Sequence, residues 1–355
     1  MNESASRVTP SDDSEEATNE LEQQLLRFNA LARASLVNWD IDQNCQLSLI
    51  KHRENAVYEL KTPGGERYAL RIHRAGYHSD AALRSELQWM TALNDAGLRT
   101  PQSVRTRSGD WFAVQQDKSG SDAYQIDMLS WVDGKALGSV EQGLSDDVAT
   151  LVSNYRQVGV LAARLHNLTE SWPKPDGFTR QAWDIDGCFS ENAIWGRFQD
   201  LEVLTSEQMA TLDTARKLLV ALLTGLGKGP EVYGLIHCDL LPENLLGSGD
   251  DIYLIDFDDA GYGWYLFEFA TSLFFLLGEP YFDDVFDALV EGFRSERALP
   301  DEQLALLPAF FLLRALVYLG WAHTRSETDT AKEMTPMIVE AALEMAEAFI
   351  SETIN

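Results

Sequence analysis

The sequence predicts an α+β protein with a small antiparallel-sheet N-terminal lobe and a larger, mostly helical C-terminal lobe. Strand-like runs separated by turn residues crowd into residues 46–74 and 111–132, with one helical segment between them. From residue 145 onward most segments carry apolar residues at helical spacing. The 355 residues, 45% of them hydrophobic, are enough to bury a large core, as two lobes or as two to three small domains.

In chain order, "ELEQQLLRFNALARASL" at 20–36 has helical spacing, and "QLSLIKH" and "NAVYELK" read as two strands across a turn. The turn "TPGGE" leads to a third strand, "RYALRIHR" at 67–74, completing an antiparallel meander. A Ser/Asp start and a terminal Gly cap a helix at 79–97. Strands follow at "WFAVQQ" and "YQIDMLSWV", then the turn "DGKAL". A long amphipathic helix is expected at 145–169, then "SEQMATLDTARKLLVALLTGL", "YLFEFATSLFFLLG", "YFDDVFDALVEGFRSER", "LALLPAFFLLRALVYLGWAHTR" and "MIVEAALEMAEAFI". A short β-like pair at 233–256 interrupts these helices. The expected boundaries are an acidic, disordered lead at 1–18, a first lobe at 19–133 and a second at 134–355.

The lead has neither the basic region nor the apolar core of a secretory signal. Cys45, Cys188 and Cys238 are odd in number and widely spaced, which suits a reducing cytoplasm better than a disulfide framework or a zinc site. The apolar runs "FEFATSLFFLL" and "AFFLLRALVYLGWA" are too short or broken by a charge for a membrane span. A net charge of −28 argues against nucleic acid and anionic membranes as partners. It is compatible with a cationic small molecule, although solubility alone explains it.

Polar residues interrupt apolar runs at two neighbouring places, "LIHCDLLPENLL" at 235–246 and "IYLIDFDDAG" at 252–261. The spacing of His237, Asp239, Asn244 and Asp256 resembles the catalytic and metal loops of the protein-kinase-like fold, H-x-D-x-x-x-x-N before a strand ending in D-F-G. Phosphoryl transfer has a loose transition state, so such a site mainly positions reactants and balances charge. In that reading Asp239 accepts the proton of the attacking hydroxyl and His237 keeps the loop in shape. Asn244 and Asp256 bind Mg²⁺, a hard cation that prefers oxygen. Each residue alone is also a turn or cap residue; the four together at this spacing give the pattern its specificity.

The first lobe carries complementary pieces. Arg71 in "YALRIHR" stands where the fold needs a cation on its third strand, and Glu86 in "LRSELQWM" where it needs an acid on the next helix. The fold generally has Lys at the first position, and a guanidinium differs in reach and geometry, although its fork still suits phosphate oxygens. An exposed strand charge and a solvated helix residue are the competing readings. The loop "KHRENAVY" at 51–58 lacks the glycines of a phosphate cover, which leaves backbone N–H groups around Arg53 to Ala56 and the Asn55 side chain. Met128 to Trp131 occupy the stretch whose backbone would hold adenine, and a plain strand exit explains them equally well.

With "NAVYEL", "SELQWMTAL", "LSWVDGKAL", "VGVLAARLHN" and "LIDFDDAGYGWYLFEFA", these motifs resemble the aminoglycoside phosphotransferase and choline kinase-like superfamily. That superfamily includes type II homoserine kinases and the bacterial stress-response kinase, and the resemblance covers most of the chain. It implies a bilobal protein-kinase-like fold, ATP with Mg²⁺, and phosphorylation of a hydroxyl, usually on a small molecule. It also implies Asp239 as base and Asn244 and Asp256 as metal ligands. The chain departs from the pattern at Arg71 and at Cys238, where the family usually has Gly; a thiol-sized residue is expected to fit there without difficulty. Asp258 and Asp259 follow Phe257 where the pattern has Gly, and Asp258 is either a metal-side acid or a turn residue.

Past Asp256 the chain enters an apolar helix with no activation segment closed by A-P-E, which favours a small-molecule kinase. Trp183, Trp195, Trp264 and Glu268 are candidate substrate residues, because aromatic faces and carboxylates suit an ammonium group. Packing is the competing reading for each. Arg314, set among apolar residues, needs a buried partner, for which Asp259 or Glu268 is expected. The leading function is therefore ATP- and Mg²⁺-dependent transfer to a hydroxyl of an amino alcohol, a homoserine-like metabolite or an aminoglycoside-like compound. The alternatives are a protein Ser/Thr kinase of the stress-response type and an inactive nucleotide-binding scaffold.

Overall fold

The computed structural model describes residues 12–52, 55–117, 122–139, 143–144, 147–248 and 251–354. The chain divides into two compact units, one formed by residues up to Leu87 with Gln102–Trp131, the other by Gln88–Pro101 with Val132 onward.

In the first unit, helix α1 (Asp12–Ser35) precedes strands β1 (Gln46–His52), β2 (Ala56–Lys61) and β3 (Arg67–Ile72). Helix α2 (Asp80–Asp95) starts here, and β4 (Ala113–Gln116) and β5 (Ala123–Ser130) complete an antiparallel sheet of order β1-β2-β3-β5-β4. The alternation along β2 buries Ala56, Tyr58 and Leu60 on one face, as the two-residue period of a strand requires. They share a core with Phe28, Leu31 and Ala32 of α1, with Leu70, Ile72, Ile126 and Met128, and with Trp39, whose indole donates to the Val104 carbonyl. Helix α1 begins at Asp12, eight residues before the expected start at 20, so it takes in part of the stretch expected to be disordered. Residues 1–11 of that lead lie outside the described residues, as do Arg53 and Glu54 of the loop expected to meet phosphate.

In the second unit, α3 (Val148–Ser171) crosses α6 (Phe282–Arg294). The crossing is close because each helix presents a glycine. A Cβ on Gly159 would overlap the Leu289 carbonyl oxygen, and one on Gly292 the Arg156 carbonyl oxygen. Helices α4 (Ser206–Leu226), α5 (Tyr265–Leu273), α7 (Leu307–Thr324) and α8 (Asp329–Ile354) are the other long helices of this unit, beside short helical turns at Ile185–Phe189 and Asp301–Leu304. By length and composition alone the segment containing α7 is long and apolar enough to cross a membrane, but it is buried here from nearly every side, as an all-round apolar helix in a protein core is. Helix α8 starts eight residues before the expected Met337 and passes through Pro336. The proline cannot donate to the carbonyl four residues back. Buried Ala331, Ile338, Ala342 and Ala346, at helical spacing, carry the helix past it.

The β-rich exception is wider than the pair expected at 233–256. Strand β8 (Tyr233–Ile236) pairs with β11 (Gly261–Trp264), which also pairs with the short β7 (Ala182–Trp183). Strand β9 (Leu245–Ser248) pairs with β10 (Asp251–Leu254) and with β6 (Lys135–Ala136). The two hairpin-like sheets leave residues 237–244 and 255–260 as connecting loops.

Candidate active site

The loops after β8 and β10 have an unusual backbone. Cys238 in the first has φ +68° and Asp256 in the second φ +64°, in the left-handed region, where a side chain costs roughly 1–2 kcal/mol. Position 238 is therefore not the undemanding site expected for a thiol-sized residue, because its conformation is one that glycine alone adopts without steric cost. Burial pushes the thiol well above its usual range, which disfavours the thiolate form.

Helix α5 holds this turn from one face. Glu268 accepts the main-chain N–H of His237 with one carboxylate oxygen and that of Cys238 with the other, the latter at 3.2 Å. Ser272 donates to the Leu240 carbonyl at 3.1 Å, and the Thr271 hydroxyl, which donates to Phe267 of its own helix at 2.8 Å, lies 3.5 Å from the Cys238 carbonyl. Residues 268, 271 and 272 share one helix face by their i, i+3, i+4 spacing. His237 completes the loop: its Nε2–H donates to the Ile255 carbonyl at 3.0 Å, so its Nδ1 is left to accept the Asp239 N–H at 3.3 Å.

Asp239 and Asn244 meet directly. The Asn244 amide nitrogen donates to the Asp239 carboxylate at 2.8 Å and to its carbonyl at 2.9 Å, which turns the amide oxygen away as an acceptor. The Ile255 N–H donates to the Asn244 carbonyl at 3.0 Å, tying the neighbour of Asp256 to the neighbour of β9. Arg180, which the sequence did not point to, braces the same loop by donating to the carbonyls of Phe257, Asp258 and Ala260 at 3.0, 2.7 and 2.8 Å.

Arg314 lies behind Asp239, fully buried. Its Nη2 donates to Asp239 Oδ1 at 3.3 Å and to the Tyr318 hydroxyl at 2.8 Å, and its Nη1 to the Cys238 carbonyl at 3.2 Å. The rings of Tyr318, Trp195 and Phe267 surround the guanidinium at 4.2, 4.9 and 5.4 Å. Its acidic partner is Asp239, not the expected Asp259 or Glu268. Burial pushes the Asp239 carboxyl up, Asp259, Asp256 and Glu243 add to this, and Arg314 opposes it; the result is about 8. With its side chain 21% exposed, Asp239 remains within reach of a small molecule.

The aromatic candidates have mostly structural roles. Trp264 donates to the Gly227 carbonyl and packs on Tyr233 and Phe310. Trp183 and Trp195 are buried edge-on to each other and donate to the Asp259 carbonyl at 2.7 Å and carboxylate at 3.1 Å. Glu268 is 1% exposed and engaged by the loop. Placement in the core, with the polar atoms taken by main chain, corrects the expectation that Trp183, Trp264 and Glu268 face a substrate.

In the first unit, Arg71 and Glu86 are buried together at 3.0 Å, and the sequence missed their third member, Asp127, whose carboxylate takes two guanidinium N–H groups. Neither Arg71 nor Glu86 is the exposed residue of the competing reading. Asn55 accepts the Arg74 N–H at 3.0 Å. The Met128 carbonyl accepts the Val104 N–H at 2.8 Å, and the Trp131 N–H donates to the Arg67 carbonyl at 3.3 Å under a guanidinium stacked on the indole. These two backbone groups are thus taken by neighbouring main chain.

A buried carboxylate bonded to an asparagine and followed across a short hairpin by a second acid, carried on this fold, is the arrangement of a kinase-type phosphotransferase. The model of the phosphotransferase enzyme family, APH, matches residues 46–303, and the chain belongs to that family. Among curated relatives it is 26% identical over 300 residues to the amicoumacin kinase of Bacillus subtilis (strain 168), covering 81% of this chain and 83% of that one. A microcompartment-associated aminopropanol kinase of known structure is 30% identical, with a TM-score of 0.79 over 91% of this chain and 98% of its own. The structure of an amicoumacin kinase in complex with AMP-PNP, Ca²⁺ and Ami has the same fold, with a TM-score of 0.70 at 22% identity over 91% and 93% of the two chains. The chain is thus an enzyme of the small-molecule phosphotransferase class.

Proposed function

We propose that this enzyme moves the γ-phosphoryl group of ATP, with Mg²⁺, to the hydroxyl of a small molecule that also bears an amine. The observation that carries this reading is the Asp239–Asn244 pair, held by Glu268 and backed by Arg314. It places one acceptor carboxylate beside a turned-out amide oxygen on a braced loop.

The donor set fits a hard divalent cation. Asn244 offers an amide oxygen and Asp256 a carboxylate, with neither thiolate nor imidazole between them. A cation held by Asn244 and Asp256 would supply positive charge against the phosphate oxygens and would favour the ionised form of the Asp239 carboxyl. Asp239 then accepts the proton of the attacking hydroxyl. Asn244 orients the Asp239 carboxylate through Oδ2, while Arg314 holds Oδ1, so the base is fixed at both oxygens.

Asp259, Asp256 and Glu243 each push the Asp239 carboxyl up, against the buried guanidinium of Arg314. This surplus of negative charge suits a cationic acceptor. The names of the relatives support the same class, since aminopropanol joins an amine and an alcohol in one small molecule. The AMP-PNP and Ca²⁺ bound to the amicoumacin kinase support a nucleotide and a divalent cation.

The test is ATP turnover with Mg²⁺ against matched acceptors: amino alcohols, the same alcohols without the amine, and a generic protein substrate. Preference for the amino alcohols is expected, with Asp239→Asn losing about 10²–10⁴-fold in kcat while still binding nucleotide. Equal use of amine-free alcohols would remove the cationic acceptor, and an active Asp239→Asn enzyme would remove the base.

A further inference from the structure

Arg71 and Asp127 are direct partners across β3 and β5, so their side chains leave the sheet on the same face. The contact is two-pronged. Arg71 Nε donates to Asp127 Oδ1 at 2.9 Å and Nη2 to Oδ2 at 2.6 Å, while Nη2 also reaches Glu86 Oε1 at 3.0 Å. His73, one residue beyond the end of β3, places Nε2 2.8 Å from Asp127 Oδ2. Arg71 is 5% exposed, and Glu86 and Asp127 are 0% exposed.

We infer that Asp127 is a positioning residue that fixes the plane of the Arg71 guanidinium, and that it is the reason position 71 requires arginine rather than lysine. This rests on the proposed nucleotide-dependent activity. A guanidinium presents paired N–H groups that meet both oxygens of one carboxylate and still reach a second. A lysine ammonium is a point donor on a flexible stem, and it cannot align with both Asp127 oxygens and Glu86 together. Lysine at position 71 would therefore leave Glu86 and Asp127 competing for one unforked ammonium, with the His73 imidazole still beside Asp127, a costly arrangement for whichever acid loses its aligned bond. Neutralising Asp127 removes that demand, and a lysine paired with Glu86 alone becomes sufficient. Asp127 therefore favours arginine and opposes lysine at the same site, so the two substitutions must interact with opposite sign.

The experiment uses the full chain and four proteins: wild type, Arg71→Lys, Asp127→Asn and the double variant. Each is measured for KM of ATP, KM of the acceptor and kcat at a temperature where circular dichroism shows all four folded. Loss of a charge-assisted bond predicts about a tenfold rise in KM for ATP in Asp127→Asn. Arg71→Lys should rise further, and the double variant should recover at least about tenfold relative to Arg71→Lys, with acceptor KM unchanged throughout. Additive effects on KM for ATP, an unchanged KM in Asp127→Asn, or recovery of thermal stability without recovery of KM would each overturn the assignment. If wild type itself neither binds nor turns over ATP, the proposed activity falls and the assignment falls with it. Should a single variant fail to fold, nucleotide affinity of the double variant set against wild type decides: a weakening of more than about a hundredfold overturns it, and a smaller one supports it.

Discussion

Replacing Glu268 with glutamine should separate the braced loop from the rest of the site. The carboxylate is buried, accepts two main-chain N–H groups, and has His166 Nε2 3.8 Å away, stacked on Tyr265. Bonds to a charged acceptor are each worth about 1.5–3 kcal/mol, and a neutral one about 1 kcal/mol. Glutamine keeps one acceptor and turns an NH₂ toward the other N–H, leaving a buried donor unmatched, which together comes to about 3 kcal/mol lost. The smaller cost of burying an amide than a carboxylate offsets part of this. The loop released is the one that strains Cys238 to φ +68° and sets Asp239, so catalysis should suffer with stability. A base displaced by about 1 Å costs on the order of 10²-fold in kcat. Urea unfolding followed by tryptophan fluorescence should show an earlier midpoint, and steady-state kinetics a lower kcat with little change in KM for ATP. An unchanged midpoint together with a kcat within about twofold of wild type would refute the role given to Glu268.

The remaining expectations are structural. Gly159→Ala and Gly292→Ala should each destabilise by about 3 kcal/mol or more, because the added methyl meets backbone of the facing helix rather than a movable side chain; thermal unfolding checks this, and a shift within error would contradict the crossing described. Asp127 provides a pH test. Burial alone would raise its carboxyl, but the Arg71 guanidinium and the His73 imidazole overcome this and hold it at about 2, below the usual 3.8. A depressed carboxyl contributes stability that is fully present above its unfolded value and is lost as pH falls from about 4 to about 2, amounting to about 2 kcal/mol. The advantage of wild type over Asp127→Asn in urea should therefore shrink as pH falls below about 4. A gap that stays constant to pH 3 would show that the ion pair does not set the acid limb.

Much of the second unit's site was legible because it is contiguous. His237, Asp239, Asn244 and Asp256 lie within twenty residues, and polar groups inside apolar runs stand out whatever the tertiary fold. Arg71 and Glu86 were legible as a spaced pair on a strand and the next helix. Asp127 was hidden because "YQIDMLSW" reads as an ordinary strand until the register across β5 and β3 is known. The four low-information candidates, Trp183, Trp195, Trp264 and Glu268, were drawn from composition, which reports that an aromatic or acid exists and not which way it faces. Element limits erred where packing overrides local preference, as at Pro336 within α8.

The sequence by itself determined the class of chemistry, since two acids and an amide at fixed local spacing form a unit through a short loop and a hairpin. It also determined the order of a sheet-rich part before a helical one, because periodicity is a local property. Only the tertiary structure decided what holds that unit in place. Glu268, Arg314 and Arg180 lie 30, 76 and 77 residues from the loop atoms they bind. Contacts at such separations follow from helix packing and strand register, which no local pattern encodes. The left-handed turn at Cys238 belongs to the same category: a residue type that prefers another backbone is held there by hydrogen bonds from a distant helix.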